Sequence, residues 1–232
     1  MNEDARHAAG ADDVLASTGD RPAFDVSVAH QARIYNYWLG GKDNYAADRK
    51  AAGEAIAVYP GVVTGARANR QFLARAVGHL TGGAGIRQFL DLGTGIPAAN
   101  NTHEVAQAVA PKSRVVYVDY DPVVLAHARA LLAGSDEGLI DYLDADLRET
   151  DTILEQASRT LDIDPEQIAD ATARLNQLSH QHFTLRDHAQ VLRFFDGLEL
   201  LEPGVARVEE WRAPDLETRD RSAMWGGVGR KP

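Results

Sequence analysis

The run QFLDLGTG, from Gln88 to Gly95, restricts the fold more than any other stretch of this chain. Phe89 and Leu90 suit a short buried strand, Asp91 stands at its carboxyl end, and Gly93, Thr94 and Gly95 make a tight turn toward a helix. Glycine reaches positive φ without a steric cost and lets a ligand come close to the backbone. Such a turn is expected to leave backbone amides exposed above a sheet edge, where open α/β sheets bind their ligands. Pro97 fits the first turn of the following helix.

The segments on either side extend the pattern. Residues 1–23 are rich in Ala, Asp, Gly and Arg without periodicity and read as a disordered leader. Residues 24–83 read as a helical cap: Asp25 or Ser27 caps a helix from Val28 to Leu39, a second runs from Asp43 or Asn44 to Val58, and a third from Thr64 to Leu80. Residues 84–232 read as a Rossmann-like domain. Strands are expected at Gln88–Asp91, Arg114–Val118 and Leu139–Leu143, alternating with helices at Thr102–Ala110, Pro122–Leu132 and Asp151–Thr160, the pattern of βαβ units. A long helix from Asp164 to Gln181, another from Thr184 to Phe195, and apolar stretches at Leu198–Leu201, Val205–Val208 and Met224–Val228 complete the chain.

Three consecutive strands end in aspartate, at Asp91, Asp119 and the pair Asp144 and Asp146. In a parallel sheet these ends point to one side, so Asp91, Asp119 and Asp146 would line one crevice. Asp119, with Tyr120 beside it, stands where an acid holds the ribose hydroxyls of an adenosine; Asp121, just before Pro122, is the better helix cap. Asp146 or the backbone toward Leu147 would meet an adenine amine. The glycine turn serves a dinucleotide or S-adenosylmethionine equally well. Asp91 separates them, because a carboxylate there repels a pyrophosphate and suits an ammonium and a sulfonium.

Composition narrows the partners. The formal charge is -10, with no basic run to replace phosphate counterions, which argues against nucleic acid. No stretch approaches the roughly 18 apolar residues of a membrane helix, and no signal peptide is visible. Cysteine is absent, so disulfides, thiolate metal sites and a cysteine nucleophile are excluded. A cytoplasmic protein with a small-molecule substrate is expected.

The segments ARIYNYWLGGKDNYAADR, RANRQFLARAV, QFLDLGTGIPAANNTHEVAQAVAP, VVYVDYDPVVLAHARALL, DYLDADLRE, RFFDGLELLEPG and MWGGVGRKP resemble the actinobacterial S-adenosylmethionine-dependent methyltransferases long catalogued as a domain of unknown function. The resemblance covers the chain from about Ala32 onward. It implies a class I methyltransferase sheet with an added N-terminal helical cap, and a cofactor site built from Gly93, Gly95, Asp119 and Asp146. One departure stands out. Leu161, Asp162 and Ile163 pass directly into Asp164 and Pro165, where the family carries its fourth and fifth strands. Strand one would then have an uncovered edge. The chain either lacks an internal segment or has rearranged its sheet around a partner chain, which allows a homodimer.

Tyr35, Tyr37, Trp38 and Tyr45 cluster around a glycine turn, either as core or as a lid that sets Tyr35 or Tyr37 near the methyl group. Arg67, Asn69 and Arg70 read as a solvated helix face rather than substrate contacts, with a buried, paired Asn69 as the alternative. His103 would face the crevice as a general base if its helix begins at Thr102; more simply, it is a helix-start residue bonded to backbone. His180, His182 and His188 do not share a helix face, so no metal site is expected. The reading is an S-adenosylmethionine-dependent methyltransferase. Its alternatives are a catalytically silent cofactor-binding or dimerisation module and an NAD-linked oxidoreductase.

Overall fold

Valines at 115, 116 and 118 favour an extended backbone, since branching at Cβ restricts the side chain. They form the central strand of the molecule. In the computed structural model, which describes residues 25–131, 134–162, 186–214 and 222–232, β2 (Arg114–Asp119) lies between β1 (Gln88–Leu92) and β3 (Leu139–Asp144), parallel to both. The register sets Asp91 opposite Tyr117 and Asp119 opposite Asp144, so the carboxyl ends lie together. The leader, the helix expected over Asp164–Gln181, Thr184, His180 and His182 fall outside the described residues.

Alternation along β2 builds a core on each face. Val116 and Val118 pack with Leu143, Ile153 and Leu161, so that α6 (Thr150–Ala157) covers one side. Tyr117 points to the other side, stacks on Tyr142 with ring centroids 5.5 Å apart, and meets His103 of α4 (Thr102–Val109). The helix α5 (Pro122–Leu131) returns the chain from β2 to β3. Pro97 does not open α4 as expected. The helix waits until Asn101, whose amide donates to Glu104 Oε2 at 2.9 Å, and residues 97–101 remain a loop above the sheet.

Three helices precede the sheet: α1 (Gln31–Trp38), α2 (Ala46–Val58) and α3 (Gly61–Gly82). The start of α1 differs from expectation because Asp25 turns back on Ser27, accepting its amide at 2.8 Å and its hydroxyl at 2.6 Å. Asp48 of α2 takes over the capping duty. Fully buried, it accepts the amides of His30 and Tyr45, both at 2.8 Å, and lies 3.4 Å from Arg33 Nε. One carboxylate thereby locks α1 to α2. Along α3, Gly78 and Gly82 face Val105 and Val109 of α4.

The C-terminal apolar stretches form two antiparallel pairs, β4 (Glu199–Leu200) with β7 (Gly229–Arg230) and β5 (Ala206–Arg207) with β6 (Trp225–Gly226). Asp187 caps the short helix His188–Leu192, accepting the Gln190 amide at 2.8 Å. Arg75 of α3 anchors this region by donating to the carbonyls of Val208 and Trp211. Among the described residues β1 ends the parallel sheet and neither C-terminal pair joins it.

Ile153 is fully buried in the core under β2 and β3. Ile153→Ala should lower unfolding stability by about 2–5 kcal/mol through lost burial and the remaining cavity. Urea denaturation with an unchanged slope is the check; a loss below about 1 kcal/mol would show that this face of the sheet is not close-packed.

Candidate active site

The turn after β1 is built on Gly93 and Gly95, with φ of +71° and +70°. Its amides are not left exposed as the sequence suggests. Gly93 and Thr94 both donate to the Val118 carbonyl, at 2.9 and 3.2 Å, and Gly95 donates to Asp119 Oδ2 at 2.9 Å. The turn is therefore not an anion nest. It is a rigid shelf whose amides are satisfied from the neighbouring strand.

Asp119 braces two turns at once, because its Oδ1 accepts the Asp121 amide at 3.0 Å. Each carboxylate oxygen retains capacity for a further hydrogen bond. Asp121 caps α5 by accepting the Val123 amide at 2.8 Å, and its Oδ2 lies 2.7 Å from His30 Nδ1. Burial pushes the Asp121 carboxyl up, but the His30 contact and the Val123 amide together outweigh burial and hold it below its ordinary value.

Between these strand ends and helices α1 and α3 lies a cavity of about 500 Å³. Asp91, Gly93, Thr94, Gly95, Asp119, Tyr120 and Leu147 all line it, as does Tyr35. Asp146 does not. Its carboxylate turns to its neighbour Arg148, accepting from the amide and from Nε at 2.9 Å, and Ala145 and Leu147 form that wall instead. The Arg148 hydrogen bond holds Asp146 below the usual carboxylate range.

His103 does not face the crevice either. It is 2% exposed, and its backbone amide and Nδ1 each lie 2.8 Å from the Tyr117 hydroxyl. The first turn of α4 sends Thr102 toward Asp91 and His103 down onto the sheet. Tyr35 is held on both sides of its hydroxyl, which donates to the Ala66 carbonyl at 2.9 Å and accepts from Asn69 at 3.1 Å. Burial raises its pKa, so it stays a protonated phenol at neutral pH. Tyr37 lies outside the cavity lining.

Asn69 is paired with Tyr35, the alternative the sequence offered for it, and lines the cavity from α3; sequence reasoning missed Arg70 beside it and His30, which closes the cavity beside Tyr120 with its Nε2 3.2 Å from the phenol. The apolar neighbours Phe72 and Leu73 were the available signal that this part of α3 faces inward. His188 lies against the Val205 carbonyl at 3.0 Å and the Trp225 ring. Among the described residues no group of three side chains could hold a metal ion, and no helix is long and apolar enough to cross a membrane.

The S-adenosyl methyltransferase family model matches residues 17–169 and 162–232. The chain belongs to this family. Its two matched blocks overlap at residues 162–169, a range that spans the Ile163–Asp164 junction. A DUF574-family protein from Streptomyces avermitilis aligns with a TM-score of 0.78 and 38% identity, over 90% of this chain and 99% of that one. A proposed methyltransferase from Thermobifida fusca aligns with a TM-score of 0.75 and 34% identity, over 90% of this chain and 97% of that one. A comparison with curated proteins finds no match.

The methyltransferase is thus an S-adenosylmethionine-dependent enzyme of α/β fold. Its cavity chemistry fits that cofactor. Asp91 and Asp119 put two carboxylates in the cavity lining, a charge that suits an ammonium and a sulfonium, and the satisfied amides of the glycine turn offer nothing to a pyrophosphate. A Cβ at Gly95 would meet no atom within 4 Å, so the shelf opens onto space.

Asp91 ties this site to pH. Burial raises its pKa, opposed by the 2.6 Å hydrogen bond from the Thr102 hydroxyl and by the charge of Arg70. A raised folded-state value means the folded chain holds this proton more tightly than the unfolded one. The group therefore favours folding below its ordinary value of 3.8 and loses that contribution as pH rises through the raised value. Thr102→Val should move the Asp91 titration further upward. Carboxyl NMR is the measurement, and an unmoved or lowered midpoint would contradict the assigned bond.

Proposed function

We propose that the cavity holds S-adenosylmethionine across the carboxyl ends of the three strands and passes its methyl to a small-molecule acceptor bound beneath α1 and α3. Asp119 takes the ribose hydroxyls with its remaining lone pairs. Leu147, Ala145 and the backbone beside Asp146 receive the adenine, and Tyr120 closes the mouth over it. Gly93, Thr94 and Gly95 form the shelf, and Asp91 faces the ammonium. The observation that carries this reading is the placement of two strand-end carboxylates and a phosphate-indifferent glycine turn in one cavity.

The volume of about 500 Å³ lies in the range of small-molecule sites and favours a compact acceptor. The acceptor side is lined by Ala32, Leu39, Phe72, Leu73 and Ile96, with the Tyr35–Asn69 pair as its polar element. An apolar wall excludes water, and two fixed polar groups orient what enters. When bound, the cofactor supplies an electrophilic methyl on sulfur. The protein's part is to hold the acceptor in line with it, because orientation alone can supply much of the rate. A phenol kept protonated by burial suits Tyr35 to orienting an acceptor rather than to removing its proton. His103, bound to Tyr117, takes no part.

Label from methyl-labelled cofactor should pass into the small-molecule fraction of a cell extract rather than into its protein or nucleic acid; transfer to a macromolecule would reject the acceptor class. Asp119→Ala should weaken binding of S-adenosylmethionine or S-adenosylhomocysteine by about 1–3 kcal/mol through lost charge-assisted hydrogen bonds. Isothermal titration calorimetry decides it, with unchanged affinity removing Asp119 from the ribose site.

A further inference from the structure

Tyr35 of α1 spends its phenolic proton on the Ala66 carbonyl, 2.9 Å away. A carbonyl only accepts, so the group that meets the phenol oxygen from the other side has to be a donor. That fixes the Asn69 side chain. Its Nδ2 lies 3.1 Å from the Tyr35 oxygen, and Oδ1 is left on the other branch of the planar amide. Among the described residues Oδ1 has no hydrogen-bond partner, and it keeps accessible surface.

Asn69 stands one turn before Phe72 and Leu73 on α3, and all three line the cavity. Ala32, Leu39 and Ile96 add to the same lining. Arg70, the next residue along, is turned to the loop carbonyls of residues 99 and 100. A fixed accepting oxygen on an apolar wall discriminates by what it leaves unpaired. A ligand without a donor covers Oδ1 and displaces its water without replacing the hydrogen bond, and sites built this way reject such ligands strongly. A charged ligand fares no better against these apolar side chains, which supply no counter-ion.

We infer that Asn69 selects the methyl acceptor, its Oδ1 receiving an O–H or N–H from a neutral, largely apolar molecule while Tyr35 holds the amide in place. This inference rests on the acceptor placement proposed above. It makes Asn69 a specificity residue and Tyr35 a positioning residue that acts through it. With its proton given to Ala66 and a lone pair taken by Asn69, the Tyr35 phenol holds the amide rather than the ligand.

The test uses protein saturated with S-adenosylhomocysteine and probes of one shape: phenol, aniline and toluene. Burial alone ranks toluene first, because it is the most apolar. A hydrogen bond to Oδ1 ranks a donor first, and whether phenol or aniline leads tells O–H from N–H. Kd values come from NMR titration of isotope-labelled protein, with the Asn69 side-chain amide as the reporter. On the wild type a donor probe should bind more tightly than toluene and shift that amide. Asn69→Leu should move the ratio of donor to toluene affinity about tenfold or more toward toluene, and Tyr35→Phe should move it part of the way. Toluene as the tightest wild-type ligand, or no binding of any probe, overturns the inference without needing a variant to fold. So does a ratio unchanged in Asn69→Leu, and a ratio unchanged in Tyr35→Phe overturns the positioning role. Wild-type protein that does not bind S-adenosylhomocysteine would instead reject the cofactor placement itself.

Discussion

The carboxylate of Asp119 holds the working end of this sheet together. It accepts the Gly95 amide from the turn after β1 and the Asp121 amide from the turn after β2, so two adjacent βα turns share one anion. Backbone donors at such a sheet end would otherwise need water or a ligand. With them satisfied internally, the glycine turn is shaped before anything binds. It is also stripped of the free amides that anion-binding turns depend on, so the choice against a phosphate ligand is made by the fold as well as by Asp91.

The N-terminal helices complete what the sheet begins. Ala32 of α1 packs on Ile96, Val123 and Val124, joining the helix to the glycine turn and to the start of α5. His30 reaches Asp121 and Tyr120, Asp43 lies 3.1 Å from His127 of α5, and Arg70 grips the loop before α4. The contacts that hold these helices down thus fall on the rim of the cavity itself. Any movement of α1 that admitted a ligand would first have to loosen His30 from Asp121, a buried contact beside the mouth.

Much of this was legible in the residues. The β-branched run at Val115–Val118 and the acids at strand ends fix the parallel order, because strand periodicity and turn chemistry are local. Asp121 as a helix cap was legible for the same reason. The direction of His103 was not: sequence places it in the first turn of α4, but which neighbour faces the crevice depends on the Thr102 hydroxyl choosing Asp91 and the Tyr117 phenol filling the space below. Asp146 likewise turned on a local partner, Arg148, two residues along. Arg70 was hidden because a long polar side chain on a helix reads as solvated, and only the loop carbonyls from residues 99 and 100 reveal its inward course.

The junction at Ile163–Asp164 bears on the sheet more than on the site. Every residue that lines the cavity lies between His30 and Leu147, on α1, α3 and the ends and turns of the three strands. Strands placed beyond β1 would lie beside Leu90 and Leu92, which are partly buried against the α6 core, and would cover apolar surface and backbone donors along that edge. Among the described residues no strand supports β1 on that side. Asp119, whose bonds run to the β1 turn and the β2 turn, and the anchors from α1 and α3 do not depend on that edge. The physical consequence is a site whose walls are internally braced on a sheet whose first strand, among the described residues, has no outer neighbour, so exposure along that edge weighs on β1 while the groups that line the cavity keep their mutual geometry.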